Sequence, residues 1–187
     1  MRTLLACLCL LLPFAAARAE TGEAALWAAL RDGGHVALIR HALAPGTGDP
    51  PGFRVDDCAT QRNLSAAGRA QARAIGERFR ANGIATAAIF SSQWCRCLET
   101  AREMGLGEAV AFPGLNSFFA DRGEEASHTA AARALIAERA HGPLPLVLVT
   151  HQVNITALSG IFPASGEIIV MRLDGDTLSL AGRIRTD

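Results

Sequence analysis

Two continuous aliphatic runs constrain this chain more than anything else in it. HVALIR (35–40) and PLVLVTH (145–151) show no alternation of apolar and polar positions, so neither offers a face to water. Runs of this kind sit at the centre of a parallel sheet, where crossover helices cover both faces. Each run also stops abruptly at polar residues, the first at Arg40-His41 and the second at Thr150-His151.

The segments between the runs complete the pattern. EAALWAALRDGG (23–34) sets Leu26, Trp27 and Leu30 at helical spacing, with Gly33-Gly34 as a stop. Ser65 is a helix N-cap, after which Ala72, Ile75 and Phe79 recur helically as far as Gly83. AAIFSS (87–92) and AVAF (109–112) read as strands; 94–104, HTAAARALIAERAHG (128–142) and 153–158 read as helices, the last closed by Gly160. EIIVMRL and TLSLAGRI flank an Asp174-Gly175 turn and form a hairpin. Strands alternating with helices give an α/β fold, a three-layer α/β/α sandwich on a mainly parallel sheet with an antiparallel C-terminal hairpin. The stretch from Ala42 to Asn63, rich in proline and glycine, has neither period. It is a long loop, and long ordered loops in compact domains often carry function.

The opening MRTLLACLCLLLPFAAARAETG has one early charge, an apolar block from Leu4 to Phe14 and the small-residue triplet Ala17-Arg18-Ala19. That is the layout of a cleaved signal peptide, too short to span a bilayer. Cleavage is expected after Ala19, leaving one domain over 20–187, periplasmic or secreted in a bacterium, with no stable membrane insertion. All positive side chains are arginines. Removing Arg2 and Arg18 leaves 18 − 2 = 16 arginines against 18 carboxylates, a net charge of about −2. No basic field remains to recruit nucleic acid.

In an open parallel sheet the carboxyl ends of the strands share one edge, and ligands bind there. His41, His151, Arg40 and, one turn into the helix after AAIFSS, Arg96 should therefore converge on one pocket. Arg96 and Thr100 lie on one helical face at spacing i, i+4, while Arg102 points elsewhere. His35, His128 and His141 have no such company and read as structural or surface residues. Flanking guanidinium groups oppose a cation, and no CxxC pair has a distal partner, so neither a metal nor another cofactor is expected.

The mature chain keeps Cys58, Cys95 and Cys97. An oxidising compartment favours one disulfide. Cys58 in the long loop and Cys95 at the head of the Arg96 helix should border the same edge, so Cys58–Cys95 is the expected bridge, with Cys97 the alternative partner.

With these residues in view, the chain resembles the histidine phosphatase superfamily, the phosphoglycerate-mutase-like proteins, over roughly Val36 to Leu173. Its RHG signature appears as Arg40-His41-Ala42, its helix start as LSAAGRAQA from Leu64, its third motif as SSQWCRCLETA from Ser91, and its second histidine as His151 in LVTHQVNITAL. The resemblance implies attack of a neutral His41 on phosphorus, with Arg40, Arg96, Arg62 and His151 binding the phosphate. The substrate would be a small phosphorylated molecule or a cell-envelope phosphate group. Two departures stand out. Ala42 replaces glycine, which is tolerable if its φ is negative. Ser117, in GLNSFFADRGEE, stands where many members carry the acid that protonates the leaving group; Asp121 is the nearest replacement, followed by Glu124 and Glu125. General acid help is worth about 10²–10⁴-fold. A non-catalytic anion-binding module on the same fold is the alternative reading.

Overall fold

A computed structural model describes residues 22–186. The expected export segment, 1–19, lies outside the described residues. Helix α1 (Glu23–Asp32) leads into strand β1 (His35–Arg40); α2 (Ala66–Ala81), β2 (Ala88–Ser91), α3 (Cys95–Met104) and β3 (Ala109–Ala111) follow. The chain continues through α4 (Glu125–Arg139), β4 (Leu146–Thr150) and α5 (Gln152–Ser159) to the hairpin β5 (Ile168–Asp174) and β6 (Thr177–Ile184).

The six strands lie in the order β3-β2-β4-β1-β5-β6. β1, β2 and β3 extend the sheet in parallel with β4 among them, whereas β5 runs antiparallel to both β1 and β6. The two aliphatic runs are thus adjacent central strands, as their lack of alternation requires. All five residues of β4 are buried, and so are the four interior residues of β1. Leu26 and Trp27 of α1, Phe79 of α2 and Met104 of α3 cover one face over Ala37, Ile39, Val147 and Val149. Leu135 and Ile136 of α4 and Ile155 and Leu158 of α5 cover the other over Val36, Leu38, Leu146 and Leu148. The three expected layers are present.

Several boundaries shift, two of them for a clear local reason. Helix α4 begins at Glu125, three residues before the expected His128, because a short 3₁₀ turn (Arg122–Glu124) runs straight into it. The two-residue hairpin loop is Gly175-Asp176, since Asp174 already pairs with Thr177 in the ladder. Gly175 takes φ +56°, which suits the glycine there.

One glycine bears directly on the site. A Cβ on Gly68 would stand 2.1 Å from the Leu43 carbonyl oxygen, so only glycine lets α2 approach the backbone that follows His41. The Ser65 side chain caps α2 by accepting from the Gly68 N–H, and Ser65 N–H donates to the same Leu43 carbonyl. The LSAAG segment therefore anchors the start of the long loop to the sheet edge. Among the described residues no helix is long and apolar enough to cross a membrane.

Candidate active site

The carboxyl edge of the sheet gathers the polar strand ends. His41, Ser92 and His151, each directly after a central strand, are buried, although polar residues are seldom found so deep. Their rings and hydroxyls line or support one pocket of about 930 Å³, shared by Arg40, His41, Arg62, Arg96, Asp121 and His151. The long loop from Ala42 to Asn63 folds over its rim, with regular structure only in the 3₁₀ turn Cys58–Thr60.

His41 is fixed through Nδ1, which lies 2.9 Å from the Ala42 carbonyl oxygen. A carbonyl only accepts, so Nδ1 carries the proton and the lone pair is on Nε2. Burial first, and the Arg96 charge second, pull the His41 pKa from 6.5 down to about 3, so the ring is neutral at physiological pH. His151 stands beside it, ring centroids 5.5 Å apart, with its Nε2 2.9 Å from Ser92 Oγ. Burial, then the neighbouring His41 and Arg96, holds His151 far below its ordinary pKa as well. The negative charge of a bound phosphate dianion would oppose that shift, so that His151 takes a proton from solvent and becomes a cationic donor.

The arginines are held individually. Arg40 Nη1 donates to the Pro163 carbonyl at 2.9 Å, and its buried Nε has no hydrogen-bond partner. Arg62 donates from Nε to Gly48 O at 2.7 Å and from Nη1 to Ala44 O, so it braces the loop as well as facing the pocket. Arg96 is 2% exposed and meets Asp49 with two parallel bonds, Nη1 to Oδ1 at 2.6 Å and Nη2 to Oδ2 at 3.1 Å. Its Nε is likewise buried and unpartnered. Native interiors rarely leave such donors orphaned, and an oxyanion is what two orphaned guanidinium N–H groups would satisfy.

Thr100 does not line the pocket. Its Oγ1 accepts from the Ala42 N–H at 3.0 Å and donates to the Arg96 carbonyl at 2.7 Å, joining the residue after His41 to the helix that carries Arg96. Ala42 itself is fully buried, and among the described residues no side-chain-bearing residue has positive φ, so the alanine sits where the signature glycine would without strain. Arg102, on the same helix as Arg96, is exposed.

The candidate proton donors part company. Asp121 reaches the pocket mouth, exposed, and its Oδ1 caps the following 3₁₀ turn through Gly123 N–H at 2.9 Å. Ser117 lines the pocket too. Glu124 lies 3.9 Å from His128 and Glu125 4.0 Å from Arg122, and neither lines the pocket.

Cys58 and Cys95 form a disulfide with Cα atoms 5.7 Å apart, and Cys97 is free. Cys97 is buried at 3.5 Å from His151 Nε2, and burial pushes its thiol up to about 12, too high for a thiolate nucleophile. Among the described residues no three His, Cys, Asp or Glu side chains gather as a metal-ligand set.

The residue that sequence reasoning missed is Asp49. Besides Arg96, its carboxylate accepts from Trp94 Nε1 at 2.9 Å and from Arg62 N–H at 3.3 Å. Burial works to raise its pKa, but the bonds from Arg96 and Trp94 outweigh it and leave the carboxylate below its ordinary value, hence charged. Asp49 lies in the aperiodic stretch from Ala42 to Asn63; the sole hint was that long ordered loops often carry function.

The geometry agrees with the comparisons. A family model described as histidine phosphatase superfamily (branch 1) matches residues 36–118, a span that includes Arg40, His41, Arg62 and Arg96. The matched span is shorter than half of the chain. No curated protein matches the chain in sequence. Among solved structures, the protein histidine phosphatase SixA complexed with tungstate superposes with TM-score 0.59 at 17% identity, covering 81% of this chain and 97% of that one. Phosphoserine phosphatase from Entamoeba histolytica, in complex with 3-phosphoglyceric acid, gives 0.59 at 16%, covering 82% and 98%. Bacillus stearothermophilus YhfR gives 0.54 at 19%, covering 79% and 95%. At these identities the likeness is one of fold.

Proposed function

We propose that the chain is an exported bacterial member of the histidine phosphatase superfamily that hydrolyses a phosphorylated substrate, without a metal, through a phosphohistidine on His41. The observation that carries this reading is a neutral histidine with its Nε2 lone pair free, in one pocket with two arginines whose buried Nε donors lack acceptors.

In the first step His41 Nε2 attacks phosphorus, the N–P bond forms, and the P–O bond to the leaving group breaks. Arg40, Arg62 and Arg96, with His151 once it is protonated, bind the equatorial oxygens, where the transition state spreads its charge. Asp121 at the mouth would give a proton to an alkoxide; the imidazole expelled from a phosphohistidine, where the bond broken is P–N, or the phosphate expelled from a pyrophosphate needs less help. Water then cleaves the N–P bond, releasing inorganic phosphate and restoring His41. The tungstate in the SixA complex, a tetrahedral oxyanion, suits the same kind of clamp. The Cys58–Cys95 bridge supports an oxidising compartment, hence the periplasm or the exterior, where small phosphorylated molecules and cell-envelope phosphate groups are within reach.

Serine at 117 and an exposed Asp121 favour one rival, a phosphate-binding module without turnover. Hydrolysis of p-nitrophenyl phosphate by the purified protein separates the two. His41→Ala should lower kcat by at least about a thousandfold, as loss of a nucleophile does, and a chelator should leave the wild-type rate unchanged. Equal rates from wild type and His41→Ala would rule out the phosphohistidine route.

A further inference from the structure

Resting on that reading of the clamp, we propose that the substrate is a phosphomonoester of an apolar alcohol, its organic group lying among Phe53, Phe119 and Phe162. The pocket of about 930 Å³ is far larger than a phosphoryl group needs, and it lies in the range of roughly 300–1,000 Å³ that takes drug-sized organic molecules. Beyond the histidines and arginines its lining turns aromatic, with Phe53, Trp94, Phe119 and Phe162 beside Val153. Phe162 is 69% and Phe119 48% exposed. Large apolar side chains clustered at a pocket mouth mark a binding surface.

Two of these aromatic residues adjoin the clamp. Phe162 precedes Pro163, whose carbonyl holds Arg40. Phe53 stacks on Trp94 with centroids 4.8 Å apart, and Trp94 in turn bonds the Asp49 that holds Arg96. Phe119 adjoins the buried Phe118, and the Arg122 guanidinium lies 5.8 and 5.9 Å from the two ring centres. The aromatic wall comes from three separate loops that meet at one mouth. Some polar groups of that mouth are partly engaged within the chain: Asp121 Oδ1 accepts from Gly123 N–H, Ser117 Oγ from Phe119 N–H, and Gln152 Nε2 donates to Thr156. A chain or ring that sheds water finds three phenylalanines there.

Calorimetric titration of the purified protein with n-alkylphosphonates, which cannot be hydrolysed, measures the wall independently of catalysis. Affinity should rise by about twofold per methylene from methyl to hexyl, half of the effect of full burial, while a hydroxylated phosphonate of the same length binds no better than methylphosphonate. Phe119→Ala with Phe162→Ala, both exposed positions, should shrink the methyl-to-hexyl ratio severalfold. A flat series, or a hydroxylated ligand that binds as tightly as hexylphosphonate, would overturn the proposal even if His41-dependent hydrolysis is present. A steep series without such hydrolysis upholds the apolar wall and overturns the phosphatase reading alone.

Discussion

Two segments border the pocket, and they are built differently. The loop from Ala42 to Asn63 is tied down by the disulfide to Cys95, by Arg62 on its own carbonyls, and by Asp49 in the grip of Arg96, Trp94 and the Arg62 backbone. The segment from Asn116 to Glu124 lies on the surface for much of its length, its carboxylates exposed and occupied with local turns. A phosphate clamp needs donors fixed before the ligand arrives, because preorganised dipoles cost no reorganisation in the transition state. A substrate-sorting wall can be looser. The difference places two groups of the clamp, Arg62 and Asp49, on the tied side, and Phe119 of the wall together with Asp121 on the open one.

The sharpest way to break this assignment is at Arg96. Arg96→Ala should lower kcat/KM for p-nitrophenyl phosphate by about 10²–10³-fold, the cost of losing one buried oxyanion donor. Arg102→Ala, on the same helix but exposed, should stay within about twofold of wild type. Comparable rates in the two variants would remove Arg96 from the clamp.

The tether can be cut directly. Cys58→Ser opens a covalent loop whose ends are 37 residues apart. On the chain-entropy account, closing a loop of that size contributes about 3–4 kcal/mol, which for a domain this long is a fall in Tm of roughly 10 °C. The variant should also raise KM more than it lowers kcat, since the loop presents Asp49 and Arg62. Unchanged melting would show that hydrogen bonds alone hold the loop.

How much of this was legible beforehand follows from what each feature depends on. β1 and β4 could be read because an unbroken aliphatic run has one comfortable place in a sheet. His41, His151, Arg40 and Arg96 could be read because strand ends and one helical turn fix their positions through local geometry. The bridge was legible for the same reason: Cys58 and Cys95 flank the edge, although choosing Cys95 over Cys97 needed coordinates. Asp49 could not be read, since its role comes from four donors that meet it from 13 to 47 residues away. Nor could the start of α4, which the preceding 3₁₀ turn sets rather than a capping residue.

Acid sharpens the comparison from the other direction, because the strand ends beside the tied loop hold two buried neutral histidines. His41 titrates near 3 when folded and near 6.5 when unfolded. Between those values the unfolded chain binds the extra proton, so stability is fully present above about pH 6.5 and is lost as the pH falls toward 3. From His41 alone the loss at pH 5 is about 2 kcal/mol, at 1.36 kcal/mol per unit. Thermal melts at pH 7 and pH 5 should therefore show a smaller drop for His41→Gln than for wild type. An equal drop would mean that the ring is open to water and protons in the free protein.

The smallest expected effect discriminates most finely, because it sets the two aspartates against each other. Asp49 lines the pocket, but its carboxylate is taken up by Arg96, Trp94 and the Arg62 backbone, so Asp49→Ala should cost every substrate alike, roughly tenfold, as supporting partners of a site typically do. Asp121, as a proton donor, should matter only where the leaving group needs a proton. With p-nitrophenolate, a stable anion, Asp121→Ala should stay within about twofold of wild type; with an alkyl phosphate, whose alkoxide must be protonated, it should lose at least about tenfold. The ratio of the two kcat/KM values is the measurement, and it cancels any shared loss from misplaced loops. If Asp121→Ala lowers both substrates equally, Asp121 is a structural cap and protonation comes from elsewhere. If Asp49→Ala instead spares p-nitrophenyl phosphate and damages the alkyl ester, the carboxylate gripped by Arg96 is released on substrate binding and carries the proton itself, and the division between a fixed clamp and an open wall fails at its most tightly held residue.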